Sequence, residues 1–370
     1  MPWKIVRFLL RDMLGVFFWA LVGLTALFVV VLLMQLMRKI EGVGASSLLG
    51  FIPTLALGYQ NYLTPIAGLV AAVLSYGRMR MERESLALFA GGIPPRSLLL
   101  PVVILGVVCC FVAGHFNFIS GPKAYRERDS LRRQALADAL HHPPPGQRII
   151  SFPNIKICYR DYRDDAFEGV LVLTTADDGK AQNMLTCARA ALRFSESTST
   201  LTLLGASDAM LLRFDEHGRV SGPSVRLNIR SLTETLPIDM KTTGISTKAE
   251  LPRELMANMR KELADGKAKK WSCAEFVKRL LFTLSPLFFI MTGALTGLAF
   301  PVRNRLVALV LALVLAAGTF YPLTLLATNF TSSAVFAGLG PLMTVALPPL
   351  IVGGAAVAMA CALLWKLRRG

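Results

Sequence analysis

The 370-residue chain carries few side chains able to make or break bonds. It contains no GxxxxGK[ST] phosphate loop, no HExxH helix and no GxSxG elbow, so nucleotide hydrolysis, zinc proteolysis and acyl transfer all lack their usual apparatus. The four histidines are scattered without ligand spacing, so neither a metal site nor a cofactor is expected. Cys109, Cys110 and Cys361 fall inside long apolar stretches and read as small core residues. Cys158 and Cys187 lie in a polar block, where they are either plainly buried or, in an oxidising compartment, paired if their β carbons approach to about 4 Å.

The polar segment with the most suggestive spacing is residues 77–96, which holds Glu82, Arg83 and Glu84 ahead of an apolar run. Met81, Glu84 and Leu88 fall at i, i+3 and i+7, which predicts a short helix over about 78–91 that Gly91-Gly92 and Pro94-Pro95 terminate. One carboxylate among apolar neighbours on a helix stripe suits docking into a groove of another protein. The alternative is an interfacial helix whose Glu84 pairs with Arg80 one turn earlier.

Positioning that segment falls to six apolar stretches, residues 14–34, 51–76, 97–119, 280–300, 306–327 and 342–364, none of which contains Lys, Arg, Asp or Glu. At about 1.5 Å per residue, roughly 20 such residues cross a hydrocarbon core of about 30 Å. The first stretch follows Lys4, Arg7 and Arg11 as a signal peptide would, but it is too long and no small-residue cleavage site follows, so it reads as an anchor. The fold class expected is therefore a membrane α-helical protein of six transmembrane helices with an inserted soluble domain. Residues 1–120 supply helices 1–3, 121–272 the soluble block and 273–370 helices 4–6.

Lysine and arginine in the short loops set the orientation. The amino tail, the 77–96 loop, Arg303 with Arg305, and the carboxyl tail together carry 12 positive residues, whereas the loops on the other side carry only Arg38 and Lys39. Both termini are thus expected in the cytoplasm and the 121–272 block outside it. That block holds 24 basic and 19 acidic residues, so the chain's net charge of +16 is largely a topology signal and not a nucleic-acid footprint.

Within the block, residues 122–140 place Arg126, Asp129 and Arg133 at helical spacing, and HHPPPG at 141–146 ends that helix. From Ile149 to about Pro237, β-rich runs (NIKICYR, GVLVLTT, TLTLLGA, AMLLRF, VRLNIR) alternate apolar with polar, with turn signals such as Asp178-Gly179 and His217-Gly218 between them. This spacing predicts an all-β sandwich or jelly roll at about 148–240, its interior either a closed core or an open groove for an acyl chain. Residues 249–275 return to helical composition as a connector.

The spans contain no buried Asp, Glu or Lys of the kind that ion coupling requires, which argues against a secondary transporter. Gln60, Asn61, His115 and Asn117 either bond between helices or line a polar route. Gly293 and Gly297 form a small-xxx-small pair, and Pro65, Pro286 and Pro322 mark sites of bending.

Four segments, VRFLLRDML from Val6, RESLALFAGGIP at 83–94, SGP at 120–122 and KRLLFTLSPL from Lys278, together with the order of elements, resemble the lipopolysaccharide-export permeases of the LptF/LptG type. The amino tail and the SGP element look more like the F-type. The resemblance covers essentially the whole chain and implies three spans, a periplasmic β jelly roll and three further spans. It also implies a noncatalytic permease in the inner membrane of a Gram-negative envelope. Such a subunit pairs with a second, homologous permease and with a cytoplasmic ABC ATPase dimer that supplies ATP hydrolysis. It passes lipopolysaccharide to a periplasmic jelly-roll bridge protein and that protein's single-span membrane partner. The segment with Glu82, Arg83, Glu84 and Leu88 resembles the family's ATPase-coupling helix, with Glu84 at its acidic position. Arg38, Lys39, Lys278 and Arg279 stand where they would suit the lipid's phosphates, or else snorkel to the interface. A scaffold or sensor without transport activity is the competing class, followed by a different ATPase-linked permease for lipoproteins or cell-wall work.

Overall fold

In the computed structural model, residues 3–39, 45–92, 95–141, 143, 148–152, 155–175, 181–195, 200–214, 225–227, 234–236, 247–264, 271–300, 304–332 and 341–369 are described. The helices are α1 (Trp3–Lys39), α2 (Ala45–Gly58), α3 (Gln60–Met81), α4 (Glu84–Ala90), α5 (Pro95–Leu98), α6 (Leu100–His115), α7 (Gly121–His141), α8 (Pro252–Ala264), α9 (Trp271–Ala299), α10 (Arg305–Ser332) and α11 (Pro341–Arg369). Between α7 and α8 lie the strands β1 (Ile149–Phe152), β2 (Ile155–Cys158), β3 (Asp161–Arg163), β4 (Ala166–Thr175), β5 (Ala181–Ser195), β6 (Thr200–Ser207), β7 (Ala209–Arg213), β8 (Val225–Leu227) and β9 (Glu234–Leu236). The expected turns at Asp178-Gly179 and His217-Gly218, most of HHPPPG, Pro94, Arg303 and residues 333–340 fall outside the described residues.

Among the described residues five helices are long and apolar enough to cross a membrane: Trp3–Gln35, Leu100–Arg128, Trp271–Ala299, Leu306–Ser332 and Ala346–Trp365. The stretch expected as the second span is instead divided at Tyr59 into α2 and α3. The chain separates into two compact units, one of residues 1–28, 56–125 and 247–370, the other of residues 29–55 and 126–246.

In the first unit α9 is the hub. Gly293 lies so close to α3 that a Cβ would come 2.8 Å from the Leu69 carbonyl oxygen, and one on Gly297 would come 3.1 Å from the Gly77 nitrogen, so the small-xxx-small pair is a true helix–helix seam. Pro286 lacks the N–H that would serve the Phe282 carbonyl, and the Ser285 hydroxyl donates to it instead at 2.8 Å. The Thr292 and Thr296 hydroxyls likewise bond the carbonyls one turn back, so α9 carries polar groups through an apolar core at little cost. Facing rings of Tyr62, Phe282, Phe288, Phe289, Phe320 and Tyr321 fill the space between α3, α9 and α10.

The Leu100–Arg128 rod changes pitch at Phe116–Ser120, a single π-helical turn. There the Gly121 N–H donates to the Phe116 carbonyl, and a Cβ on Gly121 would meet that oxygen at 2.7 Å. Only glycine fits, which explains the Gly of the SGP element in steric terms.

In the second unit the strands form one wholly antiparallel sheet with the path β1-β2-β4-β5-β6-β9, with β3 on β4 and with β7 joining β5 to β8. The pairs Ile150↔Ile157, Ile157↔Val172 and Val172↔Leu185 run a buried apolar row across four strands, as the alternating pattern requires. The longest strand, β5, was not among the runs expected, because Ala181–Ser195 mixes Gln, Asn, Thr and two arginines into its apolar positions. Cys158 pairs in register with Leu171 on β4, whereas Cys187, on β5, pairs with Val170 on the far side of that strand, so the possible disulfide does not form and both thiols are free. Burial pushes the Cys187 thiol up to about 11, well out of the reactive range.

Candidate functional site

The chain's most distinctive polar geometry lies at the end of α3. Instead of one helix over 78–91, α3 runs on to Met81, the Glu82 and Arg83 N–H groups donate to the Arg78 and Arg80 carbonyls respectively, and Arg83 turns left-handed at φ 61°, ψ 11° before α4 begins at Glu84. A left-handed arginine costs about 1–2 kcal/mol, a strain that the flanking packing must hold in place. The break also undoes the expected Met81–Glu84–Leu88 stripe, since Met81 and Glu84 now belong to different helices.

Two tethers hold the segment. The Tyr76 hydroxyl donates to the Leu98 carbonyl, joining α3 to α5 across the base of the loop, and both residues are buried. Arg78 meets Asp12 of α1 at 3.1 Å. Between these tethers α4 turns its Leu88 and Phe89 onto the membrane core cluster of Leu9, Met13, Tyr76, Met79 and Leu98. Glu82, Arg83 and Glu84 remain exposed. Glu84 forms no ion pair with Arg80 or any other described residue. Its carboxylate is thus free, carried on a short helix whose other face is anchored. Leu88 was expected on the docking stripe beside Glu84, but it is half-buried and serves as part of the anchor.

A second polar centre surrounds Arg279 on α9. The residue expected to reach a lipid phosphate is only 4% exposed. Its guanidinium donates to Glu275 Oε1 at 3.2 Å, to the Glu250 carbonyl at 2.8 Å, and to the Thr247 and Lys248 carbonyls at 2.9 and 3.0 Å. Four N–H groups are therefore spent inside the protein, clamping the Thr247–Ala249 turn to α9. Adjacent helix positions point about 100° apart, so Lys278 faces outward with its side chain about a third exposed, 4.0 Å from Glu275. In the sequence the two charges look alike. The Glu275–Arg279 spacing at i, i+4 was the available signal that one of them turns inward.

Glu250, buried beside this clamp, accepts from Asn258 at 3.1 Å through Oε1, while Oε2 has no partner among the described residues. Burial drives its carboxyl above the ordinary value of 4.5, although Asn258 and Arg279 pull the other way. Asn61, Asn117, Lys248 and Lys278 line a neighbouring cavity of about 40 Å³, room for a water molecule, each of which takes about 30 Å³ in the liquid. Asn117 donates to Thr283 at 3.3 Å and Gln60 accepts from Thr25 at 3.4 Å, so two of the four polar span residues bond between helices, whereas His115 is exposed. The α1 backbone extends to Arg38 and Lys39, whose side chains lie outside those described.

The family model described as lipopolysaccharide export system permease LptF/LptG matches residues 7–365, taking in every element from α1 to α11 and covering both permease types together. No curated protein matches the chain.

Proposed function

This chain belongs to the lipopolysaccharide-export permease family, and from that premise we propose that it is the membrane subunit that converts ATP-driven motion of a partner into extraction of lipopolysaccharide from the inner membrane. The observation that carries this reading is the near end-to-end family match over residues 7–365. On this reading the crossing divided at Tyr59 is the sixth span, both termini are cytoplasmic, and the antiparallel sheet is part of the periplasmic jelly roll. A homologous permease completes the transmembrane pair, a cytoplasmic ABC ATPase dimer drives it, and a jelly-roll bridge protein with its single-span membrane partner receives the lipid.

Glu84 is the coupling residue. It is exposed and forms no ion pair among the described residues, and its helix is braced on the core through Leu88 and Phe89, so a push on α4 reaches α3 and α6 without the loop folding away. Burying the carboxylate against a cationic groove would couple the two proteins through an interaction whose one-sided removal costs on the order of 3 kcal/mol. Lys278, with Arg38 and Lys39, supplies the positive charge for lipid phosphates, whereas Arg279 holds the connector. In the reconstituted complex Glu84→Ala should abolish ATP-driven lipopolysaccharide release while the protein melts at the wild-type temperature, and unchanged release would refute the assignment.

A further inference from the structure

Along α1 a groove of about 770 Å³ opens against α3. Phe8, Arg11, Gly15 and Trp19 line it on one side and Val70 and Leu74 on the other. Its size falls within the range of about 300–1,000 Å³ of small-ligand sites, and its walls are apolar except at one end. Arg11 and Asp12 stand at that end, and Asp12 is already neutralised by Arg78 at 3.1 Å. Lys4 and Arg7 lie one helical turn before Phe8 and Arg11, and all three cations are exposed and form no ion pair among the described residues. The groove is thus apolar along its length, with Arg11 in its lining and two further exposed cations, Lys4 and Arg7, on the preceding turn of α1.

Its length identifies the occupant. From Phe8 to Trp19 the helix rises about 17 Å, close to one leaflet's share of a hydrocarbon core of about 30 Å. A partner's transmembrane helix would need a groove of the full thickness, whereas a lipid needs one leaflet of apolar wall with its head at the charged end. A phosphodiester head suits the exposed arginines, which bind it through paired charge-assisted hydrogen bonds. We propose that the α1–α3 groove is a binding site for an anionic glycerophospholipid of the cytoplasmic leaflet, with its phosphate on Arg7 and Arg11 and an acyl chain along Gly15 and Trp19. The inference rests on the orientation given under the proposed function, which puts this end of α1 in the cytoplasm. The site is separate from the cargo lipid, whose proposed contacts, Lys278 with Arg38 and Lys39, belong to the opposite face of the membrane.

The test uses the chain purified with its accompanying subunits into nanodiscs of phosphatidylglycerol and phosphatidylethanolamine, stripped with detergent and counted by native mass spectrometry. The wild type should retain phosphatidylglycerol in preference to phosphatidylethanolamine. Arg7→Gln and Arg11→Gln should each lower that retention about fivefold, in line with the contribution of one cation at an anionic surface. Gly15→Leu should lower it as much with every charge intact. A Cβ on Gly15 meets nothing within 4 Å, so the larger side chain fills the groove without a backbone clash. Equal retention by wild type and variants, or a photo-crosslinker at position 19 that captures a polypeptide or lipopolysaccharide instead of a phospholipid, would overturn the proposal. Co-purification of the ATPase is read in the same samples. Loss of the ATPase with selective lipid retention intact would overturn the exporter reading alone, and the reverse result would overturn the lipid site alone.

Discussion

Helices α1 and α9 are both long and apolar enough to span a bilayer, yet two-thirds of α9's most apolar window is buried within the chain and none of α1's is. α9 earns its place through small residues, hydroxyls that bond back to its own carbonyls, and a buried arginine. α1 instead displays Phe8, Phe18, Trp19, Leu27 and Val30 outward. Hydropathy sees the two as equals, since lipid and a neighbouring helix are equally apolar. What separates them is whether small side chains let another backbone approach, and Gly293 and Gly297 do so where Gly15 and Gly23 face open space. In this multi-pass membrane permease, α9 holds the fold together and α1 is available to whatever surrounds it.

The sharpest way to break that contrast is to remove the charge that α9 buries. Arg279→Met leaves three backbone carbonyls and Glu275 without their donor, and should cost about 3–5 kcal/mol, seen as a large drop in the melting temperature in detergent. Gly293→Leu forces a side chain against the Leu69 carbonyl and should cost about 3 kcal/mol by the same measurement. The equivalent change on α1, Gly23→Leu, meets nothing within 4 Å and should stay within about 0.5 kcal/mol.

A smaller effect concerns Glu250. Its carboxyl is raised in the folded state by burial, so the folded chain binds the proton more tightly than the unfolded chain does. This contribution to stability is fully present below the unfolded value near 4.5 and is lost as pH rises through the higher folded value. Glu250→Gln should flatten that part of the curve of melting temperature against pH, and an unaltered curve would remove Glu250 from the account. The smallest expected change in stability is that of Glu84→Ala, within about 0.5 kcal/mol because the side chain is exposed and forms no ion pair among the described residues, while the proposed coupling would be lost.

Features decided by composition over 20 residues were legible in the sequence. The long apolar helices, the helix running on past the 97–119 stretch and the strands β2, β4, β6, β7 and β8 follow from local pattern, whereas β5 does not. The small-xxx-small seam was legible too, because spacing on one helix is a local property. The break at Tyr59 was not, since nothing in an uncharged run from Phe51 to Tyr76 marks it. Nor was the left-handed Arg83, because arginine has no preference for that conformation and is held there by packing on both sides. At the polar sites, Glu84 could be singled out from its apolar neighbours, but the tethers that brace it, Tyr76 to Leu98 and Asp12 to Arg78, join residues distant in sequence. Arg279 illustrates the same limit: its charge was visible, whereas its carbonyl partners, 29 to 32 residues away in the chain, were not.

The most direct test of the coupling assignment is site-specific photo-crosslinking from position 84 in native membranes, with mass spectrometry of the captured species. A covalent adduct with a phosphate-loop ATPase, lost when ATPase expression is depleted, is the expected result. Crosslinks to lipid alone, or none to any ATPase while the protein remains folded and in the membrane, would contradict the claim that α4 is where the driving subunit grips this permease.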